Sequence, residues 1–274
     1  CLHQPRNGST AHSIAHFPEL FQHDNEFCAW AWHGLAMEQV LAGDLVNGLE
    51  SINKAIYKSF EQGDAPCALA SLAWIVVPCI QQGKLSFALD VSNKVESWLD
   101  ENQLLNIAMS STIYRVRSLV FRELGELTLA SQELVKMQKF YPRLDPLNLA
   151  YCYWAEFLLS LSQQKLKEAR KQLFVLENHA AIHFDGWQLA LPPAELLSAI
   201  MDTVSGNDIA MLSWASQFQI KHYNEVTAAA TGIAGIKPLI PAFQIELIAY
   251  VRVRITLGSD MNLSCIYLIK QAAI

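Results

Sequence analysis

The chain has 274 residues, of which 52% are apolar and 17% charged, with a formal net charge of −6. That balance excludes a disordered chain, which is poor in apolar groups, and argues against direct nucleic-acid binding, which needs a clustered basic surface. Only 12 glycines and 10 prolines are present, too few turn formers for a β-sandwich or barrel. Taken in chain order, the opening Cys1-Leu2-His3-Gln4-Pro5 has no initiator methionine, basic region or apolar core of a signal peptide, so it reads as a fragment of a larger cytoplasmic protein. Residues 1–23 carry no clear period and read as the remnant of a preceding repeat. The longest apolar stretch, Ala68 to Ile80, is interrupted by Ser71 and Pro78 and is too short to span a bilayer.

From residue 24 onward a punctuator recurs. Gly43-Asp44-Leu45, Gly83-Lys84-Leu85 and Gly125-Glu126-Leu127 are followed by a weaker Gln164-Lys165-Leu166, then by Gly206-Asn207-Asp208 and Gly258-Ser259-Asp260. The intervals are 40, 42, 39, 42 and 52 residues. Each punctuator lies between two segments of helical apolar period. Its glycine supplies a left-handed turn at little steric cost, and its leucine opens the next helix facing inward. Five positions after the turn stand small residues, Gly48, Ala88, Ala130 and Ala169, where two helices of a hairpin must approach closely. Met211 and Leu263 replace them in the last two units, which read as divergent or capping.

Asp64-Ala65-Pro66 and Asp145-Pro146 place an N-cap acceptor beside a first-turn proline, and Pro192-Pro193 and Pro241 open later helices. These signals predict helix pairs over 26–42/44–59, 66–82/84–99, 104–124/126–139, 147–162/165–178, 193–205/207–221 and 241–257/259–272. The connector from Thr227 to Pro241 has room for an extra helical turn. The expected fold is all-α: an α-α superhelix of about six helical hairpins with ~40-residue repeats, forming one domain over 24–274. The six cysteines, at 1, 28, 67, 79, 152 and 265, have no paired spacing and read as small buried hydrophobes in a reducing compartment.

The pattern resembles the tetratricopeptide superfamily through Trp32, Tyr114 and Tyr153 eleven positions before the turn, the Gly-x-Leu turn, and the small residue after it. Repeats near 40 residues with longer helices resemble the sensor domain of MalT-type regulators, LuxR-family activators with an ATPase and a DNA-binding helix-turn-helix. The likeness is carried by Leu69 to Trp98, with Ile80-Gln81-Gln82-Gly83-Lys84-Leu85; by Leu144 to Leu176, with Ala169-Arg170-Lys171-Gln172-Leu173; and by Phe243 to Gly258, with Val251-Arg252-Val253-Arg254-Ile255. What the resemblance implies is a cytoplasmic domain that receives a small inducer, such as a sugar or metabolite. It would relay that event to ATPase and DNA-binding parts of the same parent chain and to self-association. The chain contains neither a G-x-x-x-x-G-K-[ST] phosphate loop nor a basic recognition helix.

The first helix of each hairpin would line the concave wall of such a superhelix. Counting back from each turn, that wall holds Trp30 and His33; Thr112, Arg115 and Arg122; Tyr151 and Trp154; and Arg252. Aromatic faces and arginine forks suit a polar ligand or a peptide carboxylate. The competing reading makes the aromatics core and pairs the arginines, Arg115, Arg117, Arg252 and Arg254, with Glu123, Glu156 and Glu246 on neighbouring helices. His12 and His16 have i,i+4 spacing but no supporting third ligand, and His179, His183 and Asp185 fall in a loop with no nucleophile singled out. No metal, cofactor, catalysis or membrane contact is expected. Trp74, Trp98, Phe121, Phe140, Tyr141, Phe174 and Phe218 read as core. The functional expectation is an effector-sensing domain of a MalT-type regulator, with a generic peptide-binding scaffold as the alternative.

Overall fold

The computed structural model describes residues 18–22, 25–41, 43–183 and 194–204, with 209, 212–214 and 216–217 besides. Among the described residues the fold is all-α, with ten α-helices, three short 3-10 turns and no strand. The helices are α1 (Cys28–Leu41), α2 (Leu45–Gln62), α3 (Ala65–Ala73), α4 (Val76–Gln81) and α5 (Leu85–Glu101). They continue with α6 (Ser111–Glu123), α7 (Leu127–Gln138), α8 (Pro146–Ser162), α9 (Leu166–His183) and α10 (Ala194–Val204).

Six corners separate these helices by one device. Gly43, Gly63, Gly83, Gln103, Gly125 and Gln164 all lie in the left-handed region, with φ of 80°, 69°, 66°, 58°, 78° and 56°. After each, the next amide reaches back five residues: Asp44 to Gln39, Asp64 to Ser59, Lys84 to Cys79, Leu104 to Leu99, Glu126 to Phe121 and Lys165 to Ser160, at 2.7 to 2.9 Å. This is the six-to-one bond of a Schellman motif, which satisfies a carbonyl that the ending helix leaves open. Four of the corners are the punctuators at 43, 83, 125 and 164. Those at Gly206 and Gly258 lie outside the described residues.

The helices α2, α5, α7 and α9 begin at Leu45, Leu85, Leu127 and Leu166, the leucines of the punctuators. Asp44, Asp64 and Asp145 accept the amides of Asn47, Cys67 and Asn148 as N-caps, and Pro66 and Pro146 occupy first-turn positions. At Gly48, a Cβ would stand 2.7 Å from Val40 Cγ2, so only glycine fits there. Ala88, Ala130 and Ala169 are completely buried at the equivalent positions.

A second tie uses glutamine. Gln62 Nε2 donates to the Asn25 carbonyl at 2.8 Å, Gln82 Nε2 to that of Leu45 at 2.9 Å, and Gln163 Nε2 to that of Leu127 at 3.5 Å and to Ser131 Oγ at 2.7 Å. Each glutamine stands at a helix C-terminus and grips the start of a preceding helix through a carbonyl with a second lone pair to offer.

Some sequence expectations are corrected. The helix expected over 66–82 is two helices, because Pro78 lacks an amide proton and its ring crowds the carbonyl four residues back, at Trp74. The helix expected from residue 104 starts at Ser111; Ile107 is extended, and a 3-10 turn at Ala108–Ser110 precedes it. The helix α9 continues to His183 instead of ending at 178. Phe174, expected in the core, is 64% exposed on α9, whose inward face is Ala169, Leu173, Leu176 and Ala180. Trp98 does stack on Phe60, with centroids 4.8 Å apart, and Phe140 on Tyr114 at 5.9 Å.

The chain divides into two compact units, Cys1–Val40 with Asp44–Asn106, and Leu41–Gly43 with Ile107–Ile274. In the first, α2 packs on α3 and α4, and α5 packs on the same two helices. In the second, α6 lies along α7, α8 touches both and lies along α9, and α10 packs on α9. The core of that unit is built from Leu134, Met137, Phe140, Cys152 and Leu159, and from Phe157, Leu173, Leu176, Leu197 and Met201. No helix among the described residues is long and apolar enough to cross a membrane.

The corners and the close approach yield two tests. Gly48→Ala is expected to lower the thermal midpoint although alanine is the better helix former by about 1 kcal/mol, because its Cβ meets Val40. Gln164→Gly is expected to stabilise the chain by about 0.5–1 kcal/mol in urea titration, since glycine adopts the left-handed corner without a Cβ clash.

Candidate functional site

In the second unit, α6 is buried without a break from Ser111 to Ser118 and again at Val120. Ile113, Val116 and Val120 form an apolar face. Ser111, Arg115, Ser118 and Arg122, spaced i, i+4, i+7 and i+11, form another, with Thr112 beside it. A helix buried on every side is ordinarily apolar on every side. Here three arginines lie along it, and each meets a different environment.

Arg117 stands with its Nη1 4.0 Å from Glu133 Oε2 of α7. Glu133 is itself buried and also takes Lys136 Nζ at 2.7 Å. Arg122 pairs with the adjacent Glu123 through Nη2, while its Nε is buried with no hydrogen-bond partner among the described residues. Arg115 is 6% exposed, with its guanidinium carbon 4.9 Å from the centre of the Tyr151 ring on α8. Burial lowers the Arg115 pKa, yet a guanidinium keeps its proton in proteins, so the charge persists.

Glu156, one of the carboxylates expected to pair with an arginine, is held otherwise. Gln138 Nε2 and the Tyr141 hydroxyl donate to its Oε1 at 2.6 and 2.7 Å. Burial first, and then the Glu156 carboxylate beside it, push the Tyr141 phenol well above its ordinary range, so it stays a donor. Trp154, one turn from Tyr151, stacks on Phe157 with centroids 5.7 Å apart and packs partly buried against the core. Thr112 is buried one turn before Arg115. The structure therefore joins Arg115 directly to Tyr151, with Thr112 on the same helix as Arg115 and Trp154 on the same helix as Tyr151.

In the first unit, Trp30 and His33 meet edge to face at 5.4 Å. The Trp30 indole donates to Asp64 Oδ2 at 2.7 Å, while Asp64 Oδ1 caps α3. His33 is buried, with Nδ1 3.0 Å from Ser71 Oγ, and burial holds its pKa below the ordinary histidine value. Arg252 lies outside the described residues, as do His12, His16 and Asp185. His179 Nε2 is 2.8 Å from the Pro146 carbonyl; a carbonyl only accepts, so that nitrogen carries the proton. Among the described residues no cluster of three or more histidine, cysteine, aspartate or glutamate side chains is placed to hold a metal.

Cys28, Cys67, Cys79 and Cys152 are buried free thiols. Burial pushes Cys67 and Cys79 to about 11 and Cys152 to about 12, leaving little thiolate at neutral pH. The glutamine ties, the Gln103 corner and the Arg117–Glu133 pair escaped the sequence reading. Glu133 did leave a signal, because it falls on the buried stripe of Ala130, Leu134 and Met137. No protein-family model matches the chain, and no curated protein matches it either.

Two measurements follow from these environments. A histidine whose pKa is lowered by folding binds fewer protons in the native state than in the unfolded one, so stability falls as pH drops through the unfolded value near 6.5. The loss of thermal midpoint between pH 7 and pH 5 is expected to be smaller in His33→Gln than in the parent. A chain carrying Cys1→Ser and Cys265→Ser is expected to react with a thiol reagent only at the rate of unfolding; immediate labelling of Cys152 would contradict its burial.

Proposed function

We propose that this chain is the effector-sensing and interaction domain of a MalT-type transcriptional regulator. In this reading it is a tetratricopeptide-like α-α superhelix that binds a small-molecule inducer or a partner and performs no catalysis. The observation that carries the binding role is the buried polar face of α6, with Arg115 set against Tyr151. Buried charge is costly to stability, and a helix of apolar residues would pack as well or better. A binding role supplies a reason for retaining it.

The superhelix reading is supported by the recurrence of one corner at 43, 83, 125 and 164, with further left-handed corners at 63 and 103. Glutamine ties spanning 37, 37 and 36 residues recur with it. Residues at matching positions make matching contacts, as stacked hairpins of similar length require. Within the second unit the first helices of the hairpins carry Thr112, Arg115, Arg122, Tyr151 and Trp154; within the first unit they carry Trp30 and His33. Unreactive buried thiols fit a cytoplasmic setting. An ATPase and a DNA-binding helix-turn-helix would reside elsewhere in the parent chain.

A thermal-shift screen of oligosaccharides, small metabolites and peptides tests this reading. A specific ligand is expected to stabilise the chain in proportion to the logarithm of its concentration, by about 2.7 kcal/mol at one hundred times Kd, and to raise the midpoint accordingly. Tyr151→Ala is expected to weaken that response by at least tenfold in apparent affinity. A flat response to small molecules, together with peptide binding, would favour the scaffold reading. A parent reading frame lacking both ATPase and helix-turn-helix would end the regulator assignment.

A further inference from the structure

Among the three arginines of α6, Arg117 and Arg122 each have a carboxylate, Glu133 and Glu123 respectively. Arg115 is the most deeply buried of the three, and its contact is a ring face. No carboxylate of the described residues lies within ion-pair distance of it. The carboxylate that acts on it through space, after Cys152 and Tyr151, is Asp145, whose two oxygens accept from the amide and side chain of Asn148 at 3.0 and 2.7 Å. A ring face attracts the charge but supplies no lone pair to the five N–H donors of a guanidinium.

The neighbourhood repeats this shortfall. Ser110 is the N-cap residue of α6, yet its hydroxyl makes no capping bond and is buried with no hydrogen-bond partner among the described residues. Arg122 Nε, two turns beyond Arg115, is likewise buried with no partner among the described residues. Both are atoms that native interiors ordinarily satisfy. Ser111 and Ser118 share the Arg115 face, four residues before it and three after. A cation, hydroxyls and the positive end of a helix dipole together suit negative charge.

We infer that this face of α6 is an oxyanion site, in which the guanidinium of Arg115, braced by Tyr151, pairs with a carboxylate or phosphate group of the bound ligand. The inference rests on the binding role proposed above and narrows its ligand from any small polar molecule to an anionic one. Tyr151 acts as a brace that orients the fork, so that replacing arginine by lysine costs geometry as well as reach.

The test compares thermal midpoints of the whole chain in millimolar inorganic phosphate, succinate and sodium chloride at matched ionic strength. Phosphate or succinate is expected to raise the midpoint by roughly 2 °C or more over chloride. Selectivity between the two identifies the group. Arg115→Met is expected to abolish the response and to leave the unliganded midpoint unchanged or higher, because it removes a buried charge that has no carboxylate partner among the described residues. Arg115→Lys is expected to retain less than half of the shift, and it serves as the variant if Arg115→Met does not fold. An equal response in the parent and the variants, or no difference between anions and chloride, would overturn the oxyanion site. Stabilisation by neutral oligosaccharides or peptides alone would overturn it while sparing the binding role. Silence from every compound would overturn both.

Discussion

The left-handed corner is the constraint on which the described architecture depends. A helix must stop within one residue for its successor to return alongside it, and the open carbonyls at its end must be satisfied. The φ-positive residue together with the five-residue back-bond meets both demands at Gly43, Gly63, Gly83, Gln103, Gly125 and Gln164. Once the chain has turned, the close contact at Gly48 and the complete burial of Ala88, Ala130 and Ala169 follow. The glutamines at 62, 82 and 163 then fasten one helix end to another's beginning. Backbone geometry therefore comes first, and side-chain packing exploits it.

Against that regular framework α6 stands out. Its neighbours α7 and α8 are held by ordinary cores of leucine, methionine and phenylalanine. The helix itself brings buried serines, a threonine and arginines into the same unit. Two of its arginines are balanced by carboxylates and one is braced by an aromatic ring. A fold under pressure for stability alone would replace such groups with apolar ones. Their presence links packing to the proposed binding role and, through the shortage of acceptors at Arg115 among the described residues, to the charge of what is bound.

Much of the framework was legible in the residues. Glycine before an x-leucine pair marked the corners, aspartate before proline marked helix starts, and alanine or glycine five residues on marked close approach. Where the reading departed from the structure, a residue acted through something other than its ordinary preference. Gln103 takes a glycine's conformation. Pro78 divided a segment whose apolar pattern looked continuous. Phe174 faces outward because α9 turns Leu173 and Leu176 inward, and helical spacing cannot place 174 on the same face. Among the candidate site residues, the pairing of Arg115 with Tyr151 was within reach, because both were assigned to one wall. The capture of Glu156 by Gln138 and Tyr141 was not.

The sequence by itself determined the helical class, the places where helices begin at Leu45, Leu85, Leu127 and Leu166, and the small residues between them. Those properties depend on local backbone preference and on apolar period, both of which are written within a few residues. Only the tertiary structure decided which acid serves which base. Partners such as Arg117 and Glu133, or Trp30 and Asp64, stand on different helices, and side-chain reach and burial select among several chemically equivalent choices. The same selection left Arg115 facing a ring and not a carboxylate, a circumstance that no spacing rule contains.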